Sequence, residues 1–313
     1  MADFEIIKCH GSGNDFVMID TTVERGFDAV DRSAFARAVS DRVSGIGSDG
    51  VLYVVRTDDG HYAMDMYNPD GSRAEMCGNG MRCVARLAEE RGYIVDGILR
   101  SGGKDYPVAR ANDIAEGIAT YSVDIPIAAW SPDFAFFGAS EQWLGKVIES
   151  LDGELSFSAL SLGNPHIVAL VERVDLARLE ALGEAIKQRC DLFPNGVNLS
   201  FFERRSERKI FVATYERGAG ITLSCGTAMT ASATASALLG IVARGEAIEV
   251  CNRGGKVVCR TSVGDHITTR LEGNATFEWW GRASFDGGVL NFEIERVTGE
   301  EERWQAFRRR VAE

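Results

Sequence analysis

Along the first half of the chain, short apolar runs alternate with turn signals. "EIIKC", "DFVMID", "GVLYVVR" and "YAMDMYN" are bounded by Gly, Asn or Asp and rich in β-branched and aromatic residues, the pattern of strands. Beyond Cys77 the period changes: Met81, Val84, Ala85 and Ala88 fall on one helical face, and Gly92 stops the pattern. The second half repeats this order, with a difference in its helix. From Gly226 to Gly240 the segment "GTAMTASATASALLG" has no charged residue and so no side suited to water, which predicts a helix enclosed by strands. Residues 93–125 alternate like strands and lead into "IPIAAWSPDF", where Pro126 and Pro132 mark a join between halves. The tail "TGEEERWQAFRRRVAE" reads as a helix, with glutamates in its first turn and arginines near its end. Its stripe of Trp304, Phe307 and Val311 is expected to pack against the body, ahead of the alternative that it meets a partner.

The repetition extends to individual residues. Tyr215, Cys225, Gly226 and Met229 fall on Tyr67, Cys77, Gly78 and Met81 at a constant shift of 148. "GNDFVMI" from Gly13 recurs as "GNPHIVA" from Gly163 at a shift of 150, and "DGVL" at Asp49 is echoed by "NGVN" at Asn195 at a shift of 146. Three echoes in one order argue for duplication, and so long a shift makes each copy a whole domain. The expected fold class is α+β: two domains, each a mixed, mostly antiparallel sheet or barrel wrapped around a central helix.

Composition narrows the partners. With 313 residues, 45% of them hydrophobic, the chain can bury a sizeable core. A formal net charge of -12 repels phosphate backbones, and the one basic run is Arg308-Arg309-Arg310. The N-terminus lacks a basic segment followed by a long apolar one, and no 18 uncharged apolar residues run together. A cytoplasmic protein that binds neither nucleic acid nor membrane is expected. The seven cysteines, Cys9, Cys77, Cys83, Cys190, Cys225, Cys251 and Cys259, include no C-x-x-C pair and are expected to stay reduced. The four histidines, His10, His61, His166 and His266, lie far apart in sequence, so no metal site is expected.

Two of the cysteines stand apart. Cys77 and Cys225 occupy matching positions between glycine-rich flanks, each just before a helix, where unpaired N–H groups and the helix dipole lower a thiol pKa. The N–H groups of Gly78-Asn79 and Gly226-Thr227 are suited to a carboxylate. Inverting a stereocentre beside a carboxylate needs a base on one face of the carbon and an acid on the other, and a thiolate with a thiol meets that need. The other five cysteines read as small buried hydrophobes. Asp49-Gly50 and Asn195-Gly196 read as turns. His166 reads equally as a hydrogen-bonded core residue or a functional one, and Glu216 and Arg217 by themselves read as solvated surface charges.

At these residues the chain resembles the diaminopimelate epimerases, the cofactor-independent enzymes of bacterial lysine and peptidoglycan-precursor synthesis that interconvert LL- and meso-2,6-diaminopimelate. The resemblance runs from about residue 5 to about residue 285 through "HGSGNDFVMID", "GIGSDGVL", "YNPDGSRAEMCGNGMRC", "LGNPH", "FPNGVNLSFF" and "YERGAGITLSCGTA". It implies two domains related by a pseudo-twofold axis, with the active site in the cleft between them: residues 1–125, joined by part of 282–313, and residues 126–281. It makes Cys77 and Cys225 the proton-transfer pair. By the same likeness Gly78, Asn79, Gly226 and Thr227 grip the reacting carboxylate, with Asn14 at that end. Asn68, Asn164, Asn198, Glu216 and Arg217 hold the distal amino-acid group, and His166 and Glu216 tune the thiols. The implied partner is a small-molecule substrate, with no cofactor and no metal; a homodimer is left open. Gly50 stands where some members have glutamine, and Ala228 where glycine is usual. Two other functions are weighed: a racemase of another amino acid on this architecture, and a cysteine hydrolase or thiol redox protein using one cysteine with His166 and Asn164.

Overall fold

A computed structural model of the chain describes residues 3–24, 27, 29–94, 97–128, 134 and 142–312. Pro132, read as part of the join, lies outside them, as does the last residue of the tail. The structure is rich in strands with few helices, and forms two compact units. One comprises Met1–Val123 with Glu272–Arg310, the other Asp124–Leu271 with Val311–Glu313.

In the first unit, strand Asp3–Gly11 pairs antiparallel with Asn14–Asp20 on one side and with Thr276–Asp286 on the other. Asn14–Asp20 lies parallel to Val51–Arg56, which requires a crossover, and helix α1 (Arg32–Ser40) supplies it. The Asp31 carboxylate starts α1 by accepting the N–H groups of Ser33 and Ala34. Val51–Arg56 then pairs antiparallel with Tyr62–Tyr67, that strand runs parallel to Ile98–Ser101, and Ile98–Ser101 pairs antiparallel with Lys104–Arg110. Helix α2 (Gly78–Glu90) packs against these strands and buries ten residues, including Met81, Val84, Ala85 and Ala88. Its end is set by Gly92, at φ 71°.

The second unit shows the same succession. Asp152–Ser161 is antiparallel to Pro165–Leu170, which is parallel to Asn198–Ser206 across helix α3 (Leu176–Ile186). Asn198–Ser206 is antiparallel to Lys209–Glu216, which is parallel to Ala247–Asn252, and that strand is antiparallel to Gly255–Val263. Helix α4 (Gly226–Leu238) lies against six strands, and every residue from Gly226 to Ala237 is buried. Most of the hydroxyls of this uncharged helix find partners inside, as Thr230 does on the Gly226 carbonyl and Thr234 on Thr269, while the buried Ser232 hydroxyl has none among the described residues.

The C-terminal segment completes the first unit. Strand Val289–Val297 pairs with Thr276–Asp286, and helix α5 (Glu300–Ala312) follows. Trp304 and Phe307 are buried and Val311 is half-buried. Among the described residues no helix is long and apolar enough to cross a membrane.

Candidate active site

Each unit carries half of the predicted constellation. In the first, Cys77 is the N-cap of α2, with φ -142° and ψ 112°, and its Sγ accepts the Gly80 N–H at 3.4 Å. Asn14 stands at the start of its strand, its Oδ1 3.7 Å from the Cys77 Sγ. Asn79 is 1% exposed and donates Nδ2–H to that same oxygen at 3.2 Å. The structure therefore gathers Cys77, Gly78, Asn79 and Asn14. It adds Asp49, read in the sequence as only a turn, which accepts Asn14 Nδ2–H at 2.8 Å and so fixes the amide with its oxygen toward the thiol. Asn68 lies in the turn after Tyr67, donating to Ser72 Oγ at 2.9 Å. The backbone around Gly50 leaves no room for a side chain: a Cβ there would stand 2.7 Å from the Tyr67 carbonyl oxygen, on backbone that cannot yield cheaply.

Arg82 belongs to this half-site, and the sequence reading missed it. Fully buried one turn into α2, it donates to the Gly78 carbonyl (3.2 Å), Asn79 Oδ1 (3.0 Å), Ser12 Oγ (3.1 Å) and the Asn274 carbonyl (3.2 Å). Its one signal was a guanidinium inside the motif "CGNGMRC", on the helix face otherwise given to core residues.

In the second unit Cys225 is the N-cap of α4, 7% exposed, with Sγ 3.4 Å from Thr227 Oγ1. Asn164 links to Thr227 Oγ1 at 3.5 Å and, through Oδ1, to His166 Nε2 at 3.0 Å. Asn198 accepts the Arg217 backbone N–H at 2.9 Å, while the exposed Arg217 side chain donates to the Asn195 carbonyl. The Asn195-Gly196 turn is as read, with Gly196 at φ 69°. Glu216 accepts the Thr222 hydroxyl.

The thiols depart from the expected acidity. Desolvation pushes Cys77 up to about 11, against the Gly80 and Asn79 N–H groups and the Arg82 charge, which pull it down. Burial, then the Glu216 carboxylate, holds Cys225 well above its ordinary value. A helix terminus is worth up to about 2 kcal/mol, whereas burial moves a pKa by up to about 3–5 units, so burial wins. The two half-sites nevertheless differ in sign of neighbour: a cation at Cys77, a carboxylate at Cys225. Iodoacetamide should therefore modify exposed Cys190 first, then Cys77, with Cys225 last. The Cys77 rate should climb about tenfold per pH unit from pH 7 to 10, because the reactive thiolate is the minor form below its pKa. Peptide mapping by mass spectrometry reads the order, and a Cys225 faster than Cys77 would contradict this electrostatic account. Cys9, Cys83, Cys251 and Cys259 are buried as expected; Cys190 is not, since the turn at residues 188–192 leaves it exposed.

His166 is fully buried, and burial together with the Arg217 charge lowers its pKa to about 3. Its Nδ1 has no hydrogen-bond partner among the described residues. A histidine so held is a poor base for a thiol, which removes the mainstay of the hydrolase alternative. Among the described residues one cluster has metal-ligand types, His10, Glu278 and Glu301, with ligand atoms within 4.8 Å of one another; His10 Nε2 is hydrogen-bonded to Glu301 at 2.7 Å.

Comparisons with known proteins meet this geometry from outside. Solved structures share the fold at low identity. A phenazine biosynthesis protein of the PhzF family from Bacillus anthracis superposes with a TM-score of 0.65 at 15% identity, covering 91% of this chain and 100% of that one. A hydroxyproline epimerase from Agrobacterium vitis does so with a TM-score of 0.62 at 15% identity, covering 92% and 95%. Sequence relatives are closer. A diaminopimelate epimerase of Clostridium acetobutylicum is 35% identical over 97% of this chain and 92% of its own length, and one of Listeria monocytogenes is 34% identical over 100% and 98%. The family profile described as diaminopimelate epimerase matches residues 6–98 and 158–278, stretches that contain both cysteine-capped helices. With fold, motifs and near full-length relatives in agreement, the chain belongs to the diaminopimelate epimerase family.

Proposed function

We propose that this protein is an isomerase that converts LL-2,6-diaminopimelate to meso-2,6-diaminopimelate without a cofactor, through a thiolate and a thiol on opposite faces of one α-carbon. The observation that carries the reading is that each unit opens its buried helix with a cysteine within the same succession of strands and helices. That succession supports an internal duplication whose copies became pseudo-symmetric domains with the substrate between them.

In this mechanism the Cys77 thiolate takes the α-hydrogen of the L-configured centre as a proton. The C–H electron pair stays on the carbon and its carboxylate, and Cys225 S–H delivers a proton to the other face. Cys77 ends as thiol and Cys225 as thiolate, and the return reaction exchanges the roles. N–H groups at Gly78, Asn79, Gly226 and Thr227 face the charge that develops on the carboxylate, with Asn14 beside them. Asn68, Asn164, Asn198, Glu216 and Arg217 hold the distal amino-acid group, which is charged at both of its ends. Glu216 also keeps Cys225 protonated at rest, and His166 orients Asn164. A racemase of a monocarboxylic amino acid would give Arg217, Glu216 and Asn198 no distal group to hold, which disfavours that alternative.

Such an enzyme would act in the cytoplasm on lysine and cell-wall precursors. The exposed Val289, Ile294 and Val297 on strand Val289–Val297 support a homodimer, since a second copy would cover them. The deciding experiment is incubation with LL-diaminopimelate in deuterated water, without added cofactor or metal. The expected result is meso product carrying deuterium at the inverted carbon. Absence of exchange with either isomer, alongside exchange with another amino acid, would transfer the reading to the racemase.

A further inference from the structure

Hydrogen bonds connect α5 to the surroundings of Cys77 without a break. Glu301 Oε2 lies 2.7 Å from His10 Nε2. His10 Nδ1 accepts the Gly13 N–H and an Asn274 Nδ2–H, each at 3.2 Å, so the ring proton sits on Nε2 and is donated to Glu301. The amide of Asn274, which also donates to Thr276 Oγ1 at 2.8 Å and to the His10 carbonyl at 3.3 Å, is oriented by these bonds together, and its Oδ1 accepts the Ser12 N–H at 2.7 Å. Ser12 Oγ in turn accepts from Arg82, which also holds Asn79, and Asn79 holds Asn14 against the thiol. His10, Ser12, Asn79, Arg82 and Asn274 are all at most 2% exposed.

Ser12 is the one non-glycine residue at positive φ among those described, at 57°. Such a conformation is strained for a residue other than glycine and persists only where its surroundings impose it. Here two side chains do so, Asn274 at its N–H and Arg82 at its hydroxyl, and the turn it makes delivers Asn14 to Cys77 two residues later.

We propose that α5 is a positioning element for Cys77: Glu301, acting through His10, Asn274 and Ser12, holds Arg82 and Asn14 in place around the thiol. Without the Glu301 acceptor, the buried His10 Nε2–H loses its partner and the ring is free to turn. The Gly13 N–H and one Asn274 donor then lose their acceptor on Nδ1, and the turn through Ser12 loosens. Helix α5 itself would remain docked, because Glu300 pairs with Arg86 at 2.6 and 2.8 Å and Trp304 is fully buried. The catalytic side of the proposal rests on the reading of Cys77 as an acid-base group; the positioning itself does not.

The test is alkylation of the full-length protein by iodoacetamide at pH 8, followed separately at Cys77 and Cys225. In Glu301→Ala the Cys77 rate should fall about fivefold, as expected when a cation beside a thiolate loses its registration, while Cys225 is unchanged. Glu301→Gln, which keeps an acceptor for Nε2–H, should restore the wild-type rate. Ser12→Gly is the second variant: glycine adopts φ 57° without strain, so the fold is retained while Arg82 loses its hydroxyl partner. It too should slow Cys77 alone. In the epimerase assay kcat should fall about tenfold in Glu301→Ala with KM nearly unchanged, the mark of a misplaced acid-base group rather than of weakened substrate binding. Unaltered Cys77 alkylation in both Glu301→Ala and Ser12→Gly, or an equal slowing of Cys225, would overturn the proposal. A Cys77-specific slowing in a protein whose wild type exchanges no diaminopimelate hydrogen would uphold the positioning and remove the epimerase reading instead.

Discussion

Cys77→Ser and Cys225→Ser should each lower epimerisation of LL-diaminopimelate by about 10³-fold or more, while circular dichroism and melting temperature stay close to wild type. Positioned acid-base groups contribute about 10²–10⁴ each, and a serine hydroxyl is too weakly acidic to replace a thiol in either role. Serine is the right probe because it preserves the local structure. It is itself a preferred N-cap, so at position 77 it takes over the bond from the Gly80 N–H that the sulfur accepts now. The diagnostic point is that both variants must fail. A protein in which one thiol sufficed would keep activity in one of them, and retention of a tenth of the turnover by either would rule out a two-base reaction.

Arg217→Gln should raise KM for diaminopimelate about 10- to 100-fold, as expected on removing a charge-assisted bond to the substrate, with a smaller effect on kcat. Its fold should survive, since the bond from position 217 to Asn198 is made by the backbone N–H and does not depend on the side chain. The side chain is exposed and, among its described bonds, donates to the Asn195 carbonyl, so further guanidinium donors can meet a carboxylate. Steady-state kinetics with LL- and meso-diaminopimelate give the two constants. An unchanged KM would separate Arg217 from the distal carboxylate and favour a substrate lacking that group.

The parts of this architecture legible in the sequence are those carried by local pattern. Both cysteine-capped helices begin where the glycine flanks placed them, and the uncharged stretch after Cys225 is buried throughout. Helices α1 and α3 are absent from the sequence reading, although each opens on an aspartate cap, Asp31 and Asp175, because the alternating runs on either side of them carry the stronger pattern. The acidity of the thiols runs against the reading for a different reason. A helix start is visible in a sequence, but the depth of burial that opposes it is a property of the packed fold. Least legible is the network around Arg82, whose members at positions 10, 12, 82, 274 and 301 share no spacing. The exposed Cys190 likewise depends on the turn in which it sits.

The pairing of Asp3–Gly11 with Thr276–Asp286 has a consequence for biosynthesis. Strand Asp3–Gly11 must wait for Thr276–Asp286 before its sheet is complete, and residues 124–271, which belong to the other unit, are made in between. Translation that stopped short of residue 276 would release a nascent chain whose opening strand lacks its neighbour, an unpaired edge of the kind that chaperones shield and aggregates recruit.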